Sequence, residues 1–206
     1  APQKPKHRNS RMLNPSPKLI LASTSAYRKA LLERLNLPFE AIPSNADESA
    51  ETNENNRELA ARLAYAKAQD VWKDHPEAIV IGSDQVADLD GERLRKPGTD
   101  ERAIAQLQRC SGKTVNFYTA VAILGPGGTR VDHLDITEVS FRHLKLAEIQ
   151  RYVQVEQPLD CAGAFKAEAL GISLFTAINS EDPTALTGLP LIWVSNSLRD
   201  LGLPNP

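Results

Sequence analysis

The chain has 206 residues, of which 41% are hydrophobic and 24% charged, with a formal net charge of −2, the proportions of a globular enzyme or binding domain. No apolar run approaches the ~18–20 residues of a membrane span, and no signal-peptide core is visible, which argues against a membrane or secreted protein. Two cysteines, Cys110 and Cys161, cannot build a disulfide scaffold and read as reduced thiols of a cytosolic protein. With only four histidines, none spaced as a ligand set, zinc chemistry is excluded.

Residues 1–18 carry Lys4, Lys6, Arg8, Arg11 and Lys18, four prolines and no acid, leaving 19 basic against 26 acidic side chains beyond them. Having almost nothing apolar to bury, residues 1–17 are expected to form a disordered basic extension, with 18–206 as the folded domain. The acidic body argues against nucleic acid as a partner, because that affinity comes mainly from neutralising phosphates.

Lys18 to Ser23 has the pattern of a buried strand entering a turn, and Ser25 is placed to cap a helix running to about Asn36. A second strand is expected over 39–43, an acidic loop over 45–56 and the longest helix over 57–75. Ala78 to Gly82 reads as a buried strand with Ser83, Asp84 and Gln85 at its carboxyl end. Asp90-Gly91 marks a tight turn between 86–89 and 93–94. A helix follows over 100–109, then two long strands, 114–124 and 130–141, joined through Pro126-Gly127-Gly128. Helix 145–155, a loop carrying Cys161 to Lys166, and a last helix with Pro190 at its first position and Gly202 past its end complete the chain. Strands mixed with helices predict an α/β domain with a mixed sheet.

Three residues carry the first chemical signal. The Ser23-Thr24-Ser25 turn joins a strand to a helix and suits a phosphate, through free N–H groups, hydroxyls and the helix dipole. Arg28 shares the inward face of that helix with Leu31, Leu32 and Leu35, so it either meets an anionic ligand or pairs with a nearby carboxylate. Lys67 lies on the apolar stripe of the 57–75 helix, where it meets an acid or phosphate unless it snorkels to solvent. Asp84 suits a metal ion or a water molecule, or caps the next turn. Asp47, Glu48, Lys96 and Lys166 add acids and cations, a set that fits Mg²⁺-assisted phosphate chemistry.

With these residues the chain resembles the Maf (septum-formation inhibitor) family of nucleoside triphosphate pyrophosphatases. The resemblance rests on Leu21-Ala-Ser-Thr-Ser-Ala-Tyr-Arg28, Asp47-Glu48, Leu63-Ala-Tyr-Ala-Lys67-Ala, Ile81-Gly-Ser-Asp84-Gln85, Arg95-Lys96-Pro97, Ser111-Gly112, Phe117-Tyr-Thr119 and Ala162-Gly163-Ala-Phe-Lys166, in family order over 18–203. It implies a fold like that of inosine triphosphate pyrophosphatases, with two lobes around a cleft, often a homodimer, and hydrolysis of a nucleoside triphosphate to a monophosphate and pyrophosphate with Mg²⁺ or Mn²⁺. It also implies that Ser23 and Arg28 hold phosphates, that Lys67 and Lys96 act as further catalytic cations, and that Glu48 and Asp84 serve the metal, Asp84 being general base or ligand; Lys166 is expected to reach either phosphate or base. Where the family often has Ser-Pro-Arg-Arg, this chain has Ser25-Ala26-Tyr27-Arg28.

Three positions that the resemblance makes specificity-determining hold Tyr27, Gln85 and Glu168, a set similar to the branch acting on 7-methyl-GTP rather than on dTTP and UTP. Physically, an aromatic ring stacks on the cationic N7-methylated base, and a carboxylate accepts from the guanine N1–H and N2–H edge. Tyr27 also suits an ordinary half-buried helix start, and Glu168 a surface loop. A dTTP/UTP pyrophosphatase and a non-catalytic nucleotide-binding regulator of septum formation are the competing functions.

Overall fold

The computed structural model describes residues 15–206, so the expected extension lies outside the described residues as far as Asn14. Among the described residues seven strands and five α-helices form, in order, β1 (Leu19–Leu21), α1 (Ala26–Glu33), β2 (Glu40–Ala41), α2 (Asn56–Trp72), β3 (Ile79–Leu89), β4 (Glu92–Leu94), α3 (Asp100–Cys110), β5 (Thr114–Gly125), β6 (Thr129–Phe141), α4 (Leu146–Glu156), β7 (Phe175–Asn179) and α5 (Leu191–Asp200). The sheet order is β2-β1-β3-β5-β6-β7, with β4 also on β3. β1 is parallel to β2 and β3, and every other pairing is antiparallel. The mixed α/β architecture expected from the sequence is the one observed. No described helix is long and apolar enough to cross a membrane.

β3 organises the molecule. The two short strands expected at 78–82 and 86–89 are one strand of 11 residues, so Asp84 sits in its middle and not at a carboxyl end. β1 pairs with its first part up to Ile81, and β4 with its last part from Ala87. Between them, Gly82 to Val86 has no strand along that edge, while β5 covers the other edge throughout. The cleft opens at this gap.

The period-2 alternation of the long strands sends side chains to opposite faces. On one face Ile20, Val80, Ala120, Ala122 and Leu124 pack against Leu59, Leu63, Ala64, Ala68 and Val71 of α2. On the other, Leu19, Leu21, Ile79, Ile81, Val121 and Ile123 pack against α1 and α5. Farther along that face Ala87, Val115, Phe117, Val139 and Phe141 pack against α3 and α4. The two helix pairs on this face leave the middle of β3 between them.

Local chemistry sets several boundaries. Asn55 caps α2 by accepting from Glu58 N at 2.9 Å, and the Glu58 side chain returns to Asn55 N at 3.0 Å, a reciprocal capping box. α1 ends at Glu33, three residues before the expected Asn36, which itself takes a left-handed φ of 53°. The expected strand over 39–43 shrinks to Glu40–Ala41. Pro190 lies one position earlier than expected, as the cap preceding α5. β7, for which the sequence carried no reading, pairs with β6 because Phe175 joins Phe141 and Phe165 in edge-to-face contacts at 5.0 and 4.8 Å.

Gly82 fixes how closely α2 approaches β3. A Cβ there would stand 2.2 Å from the Ala64 carbonyl oxygen and 2.5 Å from Ala68 N, backbone atoms that cannot yield. Gly82→Ala is expected to cost about 3 kcal/mol, the upper part of the overpacking range, seen as a lower urea midpoint at unchanged m-value. An unchanged midpoint would refute this tight helix–strand contact.

Candidate active site

The cleft at the β3 gap has a volume of about 590 Å³, the size range of small-molecule sites. Its lining brings together Ser23, Tyr27, Arg28, Glu48, Lys67, Asp84, Gln85, Lys96 and Glu168, which the sequence reading had singled out from six separate segments. Lys166 is not among the lining residues. Its backbone N–H donates to Tyr152 Oη at 3.0 Å, which ties it to α4.

The center of the cleft is an ion-pair triad. Lys67 Nζ lies 2.8 Å from Glu48 Oε1 and 2.9 Å from Asp84 Oδ1. The side chains of Lys67 and Asp84 are only 13% and 11% exposed, so the lysine meets acids and does not snorkel. The Lys67 ammonium holds the Glu48 carboxyl below the usual glutamate range, assisted by Lys96 and Arg28. Asp84 Oδ2 is buried with no hydrogen-bond partner among the described residues. A buried carboxylate oxygen left unmatched in this way is costly unless something else meets it.

A second wall holds the cations. Ser25 caps α1 by accepting from Arg28 N at 3.3 Å, and Ser25 N donates to Ser23 Oγ at 3.1 Å. The Ala26 and Tyr27 N–H groups in the first turn take no partner among the described residues. Arg28, half-buried on the inward face, donates Nε to the Gly188 carbonyl at 2.9 Å and forms no ion pair among the described residues. Burial lowers its pKa, while Asp84 and Glu48 act against that shift. A guanidinium anchored through Nε alone presents its remaining donors to an anion.

Gly188 was absent from the sequence reading, which placed Ser83 beside Asp84 without giving it a role. The Gly188 carbonyl accepts from both Arg28 Nε and the buried Ser83 hydroxyl, each at 2.9 Å. Gly188 has φ 127°, and a Cβ there would stand 3.2 Å from Arg28 Nε, so glycine is required for both backbone and space. The Thr187-Gly188 turn signal before Pro190 was the only cue to it. Arg93 and Arg95 also line the cleft beside Lys96, giving five cationic side chains in its wall.

Tyr27 shares its end of the cleft with Asp160, Cys161 and Glu168. Burial, then Cys161 and Asp160, push the Tyr27 phenol up to about 12, so it is neutral across the working pH range. Gln85, expected at a specificity position, lines the cleft and is also tied to the wall behind it. Its amide nitrogen donates to Thr119 Oγ1 and to the Ala185 and Leu186 carbonyls at 3.0, 3.2 and 2.9 Å. Those hydrogens fasten the 185–188 turn and are not open to a ligand.

For a divalent cation the donors present are two carboxylates, Glu48 and Asp84, converging on one ammonium, with Asp84 Oδ2 unmatched. The described residues hold no group of three or more His, Cys, Asp or Glu side chains that could bind a metal alone. Two carboxylates fit a Mg²⁺-type ion whose other positions are taken by water and phosphate oxygens.

Fold and site define a mixed-sheet α/β domain built around a cationic cleft with paired carboxylates. The family described as Maf-like protein matches residues 18–201, and the chain belongs to it. It is 56% identical over 190 residues to a 7-methyl-GTP pyrophosphatase of Xanthomonas axonopodis pv. citri, covering 92% of this chain and 100% of that one. It is 50% identical over 191 residues to a 7-methyl-GTP pyrophosphatase of Pseudomonas aeruginosa, covering 92% of this chain and 100% of that one. Among solved structures, the Ham1 protein of Staphylococcus aureus is 16% identical with a TM-score of 0.46, covering 73% of this chain and 88% of that chain.

Lys67→Met leaves Asp84 as a buried, unpaired carboxylate and is expected to lower stability by about 3 kcal/mol in urea unfolding. Adding Asp84→Asn removes that charge and should restore much of the loss; a purely additive pair would show that the two side chains do not interact. The Cys161 thiol, pushed up to about 12 by burial and by Asp160, is protonated at pH 8. Its alkylation by iodoacetamide, followed by mass spectrometry, should run about a thousandfold slower in the folded protein than in urea.

Proposed function

We propose that this chain is a nucleoside triphosphate pyrophosphatase that hydrolyses 7-methyl-GTP to 7-methyl-GMP and pyrophosphate. The observation that carries the chemistry is the unmatched, buried Oδ2 of Asp84 beside a lysine-held carboxylate, in a cleft walled by five cations.

The triphosphate lies along the cationic wall, its phosphates met by the Ser23–Ser25 turn, the first turn of α1, Arg28 and Lys96. Lys67 holds Asp84 through Oδ1, which leaves Oδ2 to accept a hydrogen bond from a water molecule. That water attacks the α-phosphorus in line. A new O–P bond forms, its proton passes to Asp84 Oδ2, and the bond from the α-phosphorus to the bridging oxygen breaks with pyrophosphate as leaving group. Arg28, Lys67 and Lys96 stabilise the charge that gathers on the leaving group, the main electrostatic contribution in such a reaction. Glu48 and Asp84 would hold a divalent cation, Mg²⁺ or Mn²⁺, which when bound neutralises phosphate charge.

At the other end, Tyr27 stacks on the base and Glu168 accepts from the guanine N1–H and N2–H edge. A cationic N7-methylated ring gains from the aromatic face and from the carboxylates of Glu168 and Asp160 together. Uracil and thymine supply one donor to that edge and leave a carboxylate oxygen without a partner. The relatives named above carry 7-methyl-GTP pyrophosphatase as their name and support this choice of base.

Pyrophosphate release from a nucleotide panel with Mg²⁺ or Mn²⁺ tests both parts. Turnover should be fastest with 7-methyl-GTP, fall at least about a hundredfold in Asp84→Asn, and lose its preference over dTTP in Glu168→Gln. Fastest turnover of dTTP or UTP would overturn the base assignment and keep the chemistry. Nucleotide binding without any turnover would point instead to a regulator.

A further inference from the structure

The acidic loop between β2 and α2 has no regular structure, yet three residues of α2 fasten it along its length. Near its start, Asp70 Oδ2 accepts from Asn45 N at 2.7 Å. In its middle, Glu48 meets Lys67 at 2.8 Å. Near its end, Arg62 donates Nε to Glu54 Oε1 at 2.5 Å and Nη2 to Glu54 Oε2 at 3.0 Å. The same Nη2 donates to the Ser49 carbonyl at 2.7 Å.

The Arg62 attachment differs from a surface ion pair. The Glu54 side chain is 8% exposed, and its Oε2 also accepts from Glu51 N at 3.0 Å. The guanidinium fork therefore locks two points of the loop at once, and one of them is the residue after Glu48. By contrast, the Glu48 side chain is 62% exposed. A single contact to an exposed glutamate on a free loop is worth roughly 0–1 kcal/mol, too little to hold the loop in place. A bidentate arginine supplies the geometric constraint that this contact lacks.

We propose that Arg62 is a positioning residue for Glu48: by pinning Ser49 and Glu54 to α2 it sets the Glu48 carboxylate against Lys67, beside Asp84, where the two acids can share one divalent cation. The inference rests on the reading of Glu48 as a metal-facing carboxylate. Arg62 itself reaches neither the cleft nor the substrate, since it is absent from the cleft lining.

The test compares the unaltered protein with Arg62→Gln and Arg62→Lys in three ways. Amide hydrogen exchange is followed across 45–54, Mn²⁺ alone is titrated by electron paramagnetic resonance, and kcat and KM are measured for pyrophosphate release. Arg62→Gln should speed exchange over 49–54 about tenfold while Asn45, held by Asp70, keeps its protection. It should also weaken Mn²⁺ binding about tenfold, the usual effect of removing a residue that orients a ligand, and lower kcat more than it raises KM. Arg62→Lys keeps the charge without the fork and should recover part of each loss. Faster exchange with unchanged Mn²⁺ affinity would overturn the proposal by reducing Arg62 to an anchor of the fold, as would unchanged exchange or an unaltered protein that binds no Mn²⁺. If the unaltered protein binds Mn²⁺, loses it with Arg62→Gln and yet cleaves no nucleotide, the role of Arg62 stands and the proposed function fails.

Discussion

The Lys67 ammonium between Glu48 and Asp84 is the contact on which the rest of the site depends. Two carboxylates drawn to one point repel each other, and the positive charge of the nearly buried lysine, within 2.9 Å of both, offsets that repulsion. For the lysine to reach Asp84, helix α2 has to lie almost on the backbone of β3. Gly82 permits that approach two residues before Asp84, and Ala64, one turn before Lys67, supplies the facing carbonyl. The small residues along α2 (Ala60, Ala64, Ala68) therefore serve the chemistry as much as the packing.

The position of the cleft follows from pairing along β3. A strand whose edge is paired at both ends by different partners leaves a short stretch between them without a strand neighbour, here residues 82–86, which are buried apart from the half-buried Gln85. The turn after β1, the 185–188 turn and the segment after β4 line the margin of that gap, and the cations come from α1 (Arg28), α2 (Lys67), β4 (Arg93) and the segment after it (Arg95 and Lys96). Arg28 and Gly188 meet there across 160 residues of chain, so this wall forms only when α5 and the preceding turn have docked. The cleft wall holds five cations and, separately, the group of Tyr27, Asp160 and Glu168, which under the proposed function meet the phosphates and the base respectively. Such a division orients a ligand with an anionic tail and a cationic or donor-rich head.

Several features were legible in the sequence because they are local. The capping residue Ser25, the long alternating runs of β5 and β6, and the Asp90-Gly91 turn each state their structure within a few residues. Polar side chains on apolar stripes, Arg28 and Lys67, announced that something charged would meet them, and the motif order from Leu21 to Lys166 named the family. Periodicity also misled where pairing is long-range. The single β3 looked like two strands because Ser83, Asp84 and Gln85 interrupt its hydrophobicity, and β7 was missed because its five residues are mostly exposed and held by one neighbour.

Composition, spacing and motif order were enough for the mixed α/β class, for the residue types that gather at the site and for the family. Tertiary packing settled where Arg28 and Lys67 rest: the lysine meets two acids, as one of its readings had it, whereas the arginine rests on the Gly188 carbonyl and pairs with no carboxylate among the described residues. It also decided that the Gln85 amide faces the 185–188 turn, that Lys166 stays off the cleft wall, and that Asp84 keeps one oxygen unmatched. The physical reason is common to all of these. A side chain's partner is set by which distant backbone folds against it, and no local pattern of residues encodes that distance.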